Sequence, residues 1–357
     1  MPVVDADTHV DENDETWSFL LPEHERFRPL TISPPDGYYV DPALAPKGYN
    51  RFWSIDGALR IRRNRDDVRT GTTVETRELT DVSARLRDMD RLGVDVQVMY
   101  PTLFLTSVSA KPDVEYALVR AYNRWLGAKS DESGGRLRWV VIPPILSMDK
   151  VAEEVEWGKE HGACGVFKRG VEAGSRSAND PYFFPLYEAA ERMDIPVCIH
   201  IAAGDPAITD TLSSHLTMYN FSLSPIDAFV NMVLAGIPAR FPNLRVGFIE
   251  TMSSWAPYAM AELQARHERS GWMGQFELGQ DLFRQGRFYL ACQTHEDLPY
   301  VMKFTGEDNL VIGTDYTHAD QSAEIEAHAI LRRREDIPAH VVDKIVRDNP
   351  TRFYGLD

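Results

Sequence analysis

Short apolar runs recur along this chain, separated by longer stretches in which apolar residues return at helical spacing. From residue 79 the alternation is regular. The pattern predicts a helix over 79–92 ended by Gly93, then a strand over 94–100 stopped by Pro101. A helix over 113–126 leads to a strand over 137–142, which Pro143 and Pro144 end, and a helix over 148–159 leads to a strand over 165–167. Further pairs follow: helix 182–193 and strand 196–201, helix 225–235 and strand 245–249, helix 255–269 and strand 288–292, helix 298–304 and strand 310–313. Helix 323–333 comes next, and a closing helix over 339–354 is expected to be interrupted near Asn349-Pro350.

Val3 and Val4 open one more short strand, which runs into the polar cluster Asp5-Ala6-Asp7-Thr8-His9. Eight strands, apolar on both faces and mostly separated by helices, indicate a parallel sheet. No Gly-rich dinucleotide turn follows the first strand, so the count favours a closed (β/α)₈ TIM barrel over a doubly wound sheet. The rhythm is broken only at about 18–78, an inserted excursion after strand one. Its Pro and Gly punctuation (Pro34, Pro35, Gly37, Pro42, Pro46, Gly48) and the alternation around 49–60 predict a small hairpin near the mouth, and the charged stretch 62–74 predicts a mobile loop. The whole of 1–357 is expected to form a single domain.

Composition narrows the function. With 38 Lys and Arg against 54 Asp and Glu, the formal charge is −16, which argues against nucleic acid or an anionic membrane as partner and leaves a small-molecule substrate. Cys164, Cys198 and Cys292 sit in apolar runs without metal-site spacing and are expected to be buried free thiols. The start, MPVVDADTHV, has no basic leader and no long apolar run, and no stretch of membrane-spanning length occurs, so a cytoplasmic location is expected.

In a barrel of this kind the residues just past each strand converge on one mouth. Strand one ends in Asp7 and His9, strand four in Lys168 and Arg169, and strand five in His200. Strand six ends in Glu250, strand seven is followed by His295, and strand eight by Asp315 and His318. Asp7 and His9 are two apart in extended chain and face the same way. His200 is an imidazole inside an apolar strand and needs a buried partner. With Asp315, these residues make a mixed nitrogen and oxygen set suited to one divalent ion, Zn²⁺ first and Mn²⁺ second. Asp11, Glu12 and Asp14 are read as capping or solvated groups. The runs Arg60-Ile61-Arg62-Arg63 and Arg332-Arg333-Arg334 are read as surface charge.

The ensemble of motifs resembles the amidohydrolase superfamily, in the branch that includes aminocarboxymuconate-semialdehyde, γ-resorcylate and 5-carboxyvanillate decarboxylases. The resemblance covers nearly the whole chain through DADTH (5–9), PVCIHIA (196–202), FPNLRVGFIE (241–250), NLVIGTDYTHAD (309–320) and DNPTRFYGL (348–356). It implies that Asp7, His9, His200 and Asp315 are the metal ligands. Asp7 stands where many members have the first His of His-x-His, similar to the Glu-x-His of several decarboxylases. Glu250 stands where those decarboxylases usually carry His, and resembles a set of predicted hydrolases with Leu-Glu-Gly-Gly there. The resemblance also implies a homodimer.

Two chemistries follow. In the preferred one, a metal-dependent hydrolase acts on a small carboxylated or aromatic substrate, with Asp315 as general base then acid and His295, His318 or Glu250 assisting. In the alternative, a non-oxidative decarboxylase acts on a hydroxylated aromatic or muconate-like acid, with Asp315 protonating the carbon that loses carbon dioxide. Arg169, Lys168 or Arg176 supplies a second anion contact in either. A non-catalytic barrel scaffold is the reading from a different class.

Overall fold

In the computed structural model, eight parallel strands follow one another around a single sheet. They are β1 (Val4–His9), β2 (Val96–Tyr100), β3 (Leu137–Val141), β4 (Ala163–Arg169), β5 (Val197–His200), β6 (Val246–Ile249), β7 (Phe288–Cys292) and β8 (Leu310–Ile312). The structure describes residues 1–33, 51–62, 64–202, 222–270, 278–319 and 322–356. The seam between β8 and β1 is closed by a parallel bridge, Thr8 with Tyr316, in which the His9 amide donates to the Tyr316 carbonyl (2.8 Å) and the Asp315 amide to the Asp7 carbonyl (3.0 Å). The expected (β/α)₈ barrel is therefore observed.

Its core has two layers. Inside the barrel, Val4, Ala6, Val98, Val140, Cys164, Cys198, Ile249 and Val311 pack with Tyr100, Tyr289, Phe353 and Tyr354. Outside, the opposite strand faces pack against the helices in a larger cluster containing Trp125, Trp139, Phe183, Phe229 and Phe248. The three thiols are free and buried, and burial pushes Cys164 up to about 12, so that it stays a protonated apolar filler. Among the described residues no helix is long and apolar enough to cross a membrane.

The first helix starts at Val82 rather than at residue 79, because Leu79 takes a left-handed conformation (φ 52°) and Asp81 caps the Ala84 amide. Gly93 ends it in the left-handed region (φ 68°), as expected. The closing helix is interrupted next to Asn349-Pro350, as expected, though without leaving the helical path. Lys344–Asp348 widens into a π-turn immediately before Pro350, whose missing N–H cannot continue the regular ladder.

The insertion contains an antiparallel sheet of Leu30–Ile32, Arg51–Ile55 and Ala58–Arg62. Its hairpin turns through Asp56-Gly57, both with positive φ (49° and 78°), the two-residue turn that Asp-Gly favours. The punctuation at Pro34, Pro35, Gly37, Pro42, Pro46 and Gly48 lies outside the described residues. The expected loop at 62–74 is corrected in part: Asp67–Thr70 and Val74–Arg77 form single helical turns, the first capped by Asp66. Arg62 is likewise not surface charge. It is 8% exposed, lies over the Trp53 ring and donates to Glu78 (3.0 Å) and Thr31 (2.9 Å).

Candidate metal centre

The site begins with an irregularity in β1. Asp5 pairs with Gln97 and Thr8 with Met99, so β1 carries one residue more than β2 over this span, a bulge at Ala6-Asp7. Asp5 anchors it from below: its carboxylate accepts from the Thr314 amide (2.8 Å) and hydroxyl (2.6 Å). Burial raises the Asp5 carboxyl above its ordinary range, against the nearby His328. Gly313 lets β8 pass close beside Asp7; a Cβ there would lie 2.3 Å from the Asp7 Cβ.

Asp7 and His9 then face one point with His200 and Glu250. The His200 Nε2 lies 3.4 Å from Asp7 Oδ1 and 3.3 Å from Glu250 Oε2. The His9 Nε2 lies 3.6 Å from Asp7 Oδ1, 3.7 Å from Glu250 Oε2 and 3.4 Å from Asp315 Oδ1. His318 completes the second side, its Nδ1 2.8 Å from Asp315 Oδ1 and its ring stacked on His9 at 3.9 Å. All six residues are buried, and their donor atoms form two overlapping clusters of metal-holding size, one of Asp7, His9, His200 and Glu250, the other of His9, Glu250, Asp315 and His318.

Their polarity fits a cation. His9 Nδ1 bonds the Pro101 carbonyl (2.8 Å) and His200 Nδ1 the Ile201 carbonyl (2.6 Å). A carbonyl cannot donate, so each Nδ1 carries the proton and each Nε2 presents a lone pair to the centre. Asp7 Oδ1, His9 Nε2 and His200 Nε2 are buried with no hydrogen-bond partner, the condition a metal ion relieves. Burial, reinforced by His318 and His200, pushes the His9 imidazole well below its ordinary value and keeps it in the neutral, ligating form. The cluster is a divalent-metal-binding site.

Backbone strain accompanies the carboxylates. Glu250 and Asp315 both adopt left-handed conformations (φ 59° and 51°), as do Met252 and Thr317 (φ 60° and 90°), so the turns after β6 and β8 aim side chains that extended chain would point elsewhere. Ser322 donates to Glu250 Oε1 and approaches Asp315 Oδ2 at 3.4 Å.

Several expectations change here. Glu250, read from sequence as an assisting group, stands in the same cluster as Asp7, His9 and His200. His295 is exposed and outside both clusters. Its neighbour Glu296 is the buried group, accepting from Gln293, Ser253 and Ser254 amides (2.6, 2.8 and 2.6 Å) and so tying the β6 and β7 loops together. Arg334, taken for surface charge, donates to the Thr294 and Glu296 carbonyls of that turn (3.0 and 2.8 Å).

Lys168 and Arg169 fall on opposite strand faces. Arg169 pairs in register with the inward His200, whereas Lys168 lies outside, over the Phe183 ring and 2.8 Å from Glu172 Oε1. Burial lowers the Lys168 ammonium, and Lys168 with Arg169 holds the Glu172 carboxyl below its usual range although burial opposes this. Arg169 lines a small cavity of about 20 Å³ with Phe104, Glu115, Ile142, Phe167 and Glu172. This cavity adjoins the metal site, since the Phe167 and His200 ring centroids are 6.0 Å apart. Glu12 is not solvated: it is buried, caps the helical turn Leu103–Leu105 by accepting from the Thr102 and Leu103 amides (3.1 and 2.9 Å), and burial pushes it up to about 8.

A closed parallel barrel with a buried cluster of imidazoles and carboxylates at the carboxyl ends of its strands defines a metal-dependent enzyme of the amidohydrolase type. Residues 4–356 match the amidohydrolase family model, and the chain belongs to that family. It is 21% identical over 287 residues, 78% of this chain and 77% of the relative, to a 2-amino-3-carboxymuconate-6-semialdehyde decarboxylase of Dictyostelium discoideum. The structure is similar to that of an amidohydrolase from Mycobacterium avium subsp. paratuberculosis K-10, with TM-score 0.75, 19% identity and 99% of each chain covered. It is also similar to 5-carboxyvanillate decarboxylase of Novosphingobium aromaticivorans, solved with manganese and 4-hydroxy-3-methoxy-5-nitrobenzoic acid (TM-score 0.62, 18% identity, 76% of this chain and 79% of that chain).

Proposed function

We propose that the protein is a metal-dependent non-oxidative decarboxylase of a small hydroxylated aromatic or enol-like acid, rather than the hydrolase preferred from sequence. Asp315, with Oδ1 3.4 Å from His9 Nε2 and 2.8 Å from His318 Nδ1, can carry the proton in either chemistry, so the observation that carries the choice is what the similar proteins are. Relatives named as decarboxylases favour loss of carbon dioxide.

Asp7, His9, His200 and Glu250 would hold one divalent ion. Adding Glu250 makes the donor set richer in oxygen and shifts the preference from Zn²⁺ toward Mn²⁺. When bound, the ion supplies positive charge that orients the substrate carboxylate and its neighbouring hydroxyl. Asp315 gives its proton to the ring carbon that bears the carboxylate. The carbon–carbon bond then breaks, its electron pair restores the ring, carbon dioxide leaves, and Asp315 regains a proton from solvent. Arg169 faces the cavity beside His200 and is suited to a second polar substituent, while Lys168, turned outward, is not.

The test incubates Mn²⁺- and Zn²⁺-loaded protein with 2,6-dihydroxybenzoate, 5-carboxyvanillate, lactones and amides in ¹⁸O-water. Carbon dioxide release without ¹⁸O in the organic product is expected. Ring-opened or cleaved product carrying ¹⁸O, with no carbon dioxide, overturns the proposal in favour of hydrolysis. Metal analysis of the same samples reads the ion and its stoichiometry, and sedimentation velocity reads the expected homodimer.

A further inference from the structure

The loop that follows β2 contributes to the site without joining either ligand cluster. Pro101 presents its carbonyl to His9 Nδ1 (2.8 Å), and the next residue, Thr102, sets its Oγ1 3.1 Å from His318 Nε2. One short stretch of backbone therefore orients both imidazoles of the stacked pair His9 and His318 (3.9 Å between centroids, 21° between planes). The stretch is itself pinned from behind. The two oxygens of the buried Glu12 accept the consecutive Thr102 and Leu103 amides, Oε1 from Thr102 (3.1 Å) and Oε2 from Leu103 (2.9 Å). A loop held by a buried carboxyl group at two adjacent donors has little freedom to rotate.

The hydrogen-bond roles follow from what each atom can do. His318 Nδ1 lies 2.8 Å from Asp315 Oδ1, and the hydrogen bond the ring makes in this loop is the one between Nε2 and the Thr102 hydroxyl. A hydroxyl can turn to donate, and a neutral ring protonated at Nδ1 accepts at Nε2.

We infer that Thr102 is a positioning residue for the proton transfer: its hydroxyl donates to His318 Nε2 and fixes the ring, stacked on His9, with Nδ1 turned toward Asp315. Glu12 acts one step further back, by fixing the backbone of Thr102. This rests on the reading of Asp315 as the proton carrier. A Ser at 102 keeps the donor, whereas Val keeps the shape and loses it.

The experiment compares Mg²⁺-free, Zn²⁺-loaded protein, labelled with ¹⁵N-histidine, as parent, Thr102→Ser and Thr102→Val. Long-range ¹⁵N–¹H correlation spectra are recorded, and the His318 signals are assigned by their loss in His318→Gln. In the parent and in Thr102→Ser, Nδ1 should be protonated and Nε2 should show the shift of a nitrogen accepting a hydrogen bond. In Thr102→Val, Nε2 should move toward the position of an acceptor without a donor. With any panel acid that is turned over, kcat of Thr102→Val should fall on the order of 10-fold at matched metal content, the equivalent of one hydrogen bond, with KM little changed and with recovery in Thr102→Ser. A protonated Nε2 in the parent, an Nε2 signal unmoved by Thr102→Val, or an undiminished kcat overturns the inference. If no acid is turned over, the decarboxylase reading falls, and the spectra still decide whether Thr102 holds His318.

Discussion

The two ends of the barrel interior solve opposite problems with neighbouring residues. Toward the amino-terminal end, Phe353 and Tyr354 of the closing helix plug the interior. The Phe353 ring fills the space beside Gly247, where a Cβ would lie 2.2 Å from it. The plug's tyrosine hydroxyls are matched: Tyr354 donates to the Ala6 carbonyl (2.6 Å), and the Tyr100 and Tyr354 hydroxyls lie 2.8 Å apart. A few ångströms above, at the carboxyl ends, Asp7 Oδ1, His9 Nε2 and His200 Nε2 are buried with no hydrogen-bond partner, and the two carboxylate turns carry left-handed non-glycine residues. The floor spends its packing on stability; the mouth holds desolvated donors and strained backbone, which are costly for folding and are what ion binding and proton transfer require.

The largest effect that would break this comparison is at Asp315. Asp315→Asn keeps the size and one acceptor oxygen but removes the transferable proton. General acid–base catalysis contributes about 10² to 10⁴-fold, so turnover should fall by roughly 10³ at matched metal occupancy while the melting temperature hardly changes. Turnover within about tenfold of the parent would move proton transfer to another group at the mouth and detach Asp315 from the proposed mechanism.

What could be read from sequence divides along the same line. The barrel was legible because eight apolar runs spaced by helices have few other solutions, and Asp7, His9, His200 and Asp315 were legible because each leaves or interrupts an apolar run. Side-chain direction at the mouth was less so. Lys168 and Arg169 look equivalent at a strand end, yet strand alternation sends Lys168 outward to Glu172, and counting back from His200 along the register is what separates them. Glu250 enters the ligand cluster through a positive φ that nothing in Ile249-Glu250-Thr251 announces, because such conformations are rare for residues with a Cβ. His295 and Glu296 look alike as polar residues past a strand, yet His295 is exposed and Glu296 is the buried one that accepts the loop amides. Thr102 and Glu12 act through backbone amides and a hydroxyl, groups with no signature in composition or spacing.

A smaller effect sharpens the comparison through pH. Burial raises the Glu115 carboxyl from its ordinary 4.5 to about 7, against the Leu146 amide and Arg169, which pull it down. The folded protein thus holds this proton more tightly than the unfolded chain does. That stabilisation is fully present below pH 4.5 and is lost as pH rises through about 7, amounting to about 3 kcal/mol across the window. Glu115→Gln keeps an acceptor for Leu146 and cannot titrate. Denaturant unfolding of parent and variant between pH 4.5 and pH 7.5 should give a stability difference that moves steadily in the variant's favour; a difference constant with pH would mean that Glu115 titrates normally in the fold.

The smallest effect tests the floor. Tyr354→Phe keeps the ring in the plug and deletes the hydroxyl that serves the Ala6 carbonyl and the Tyr100 hydroxyl. Both lose a buried partner, and one such hydrogen bond is worth about 1 kcal/mol, with up to about 3 kcal/mol where a group is left unsatisfied. Ala6 lies in the β1 bulge and the Tyr100 ring lies tilted against His200, ring centroids 5.0 Å apart, so the floor touches the metal centre directly. The comparison nevertheless separates the two regions: the ligands keep their own supports in Pro101, Ile201 and Ser322. Chemical unfolding of the metal-free variant should therefore show a loss of roughly 1–2 kcal/mol, with metal content and affinity close to those of the parent. Unchanged stability with a weakened metal would reverse the assignment, making the tyrosine pair a support of the ligands and not a part of the barrel's packing.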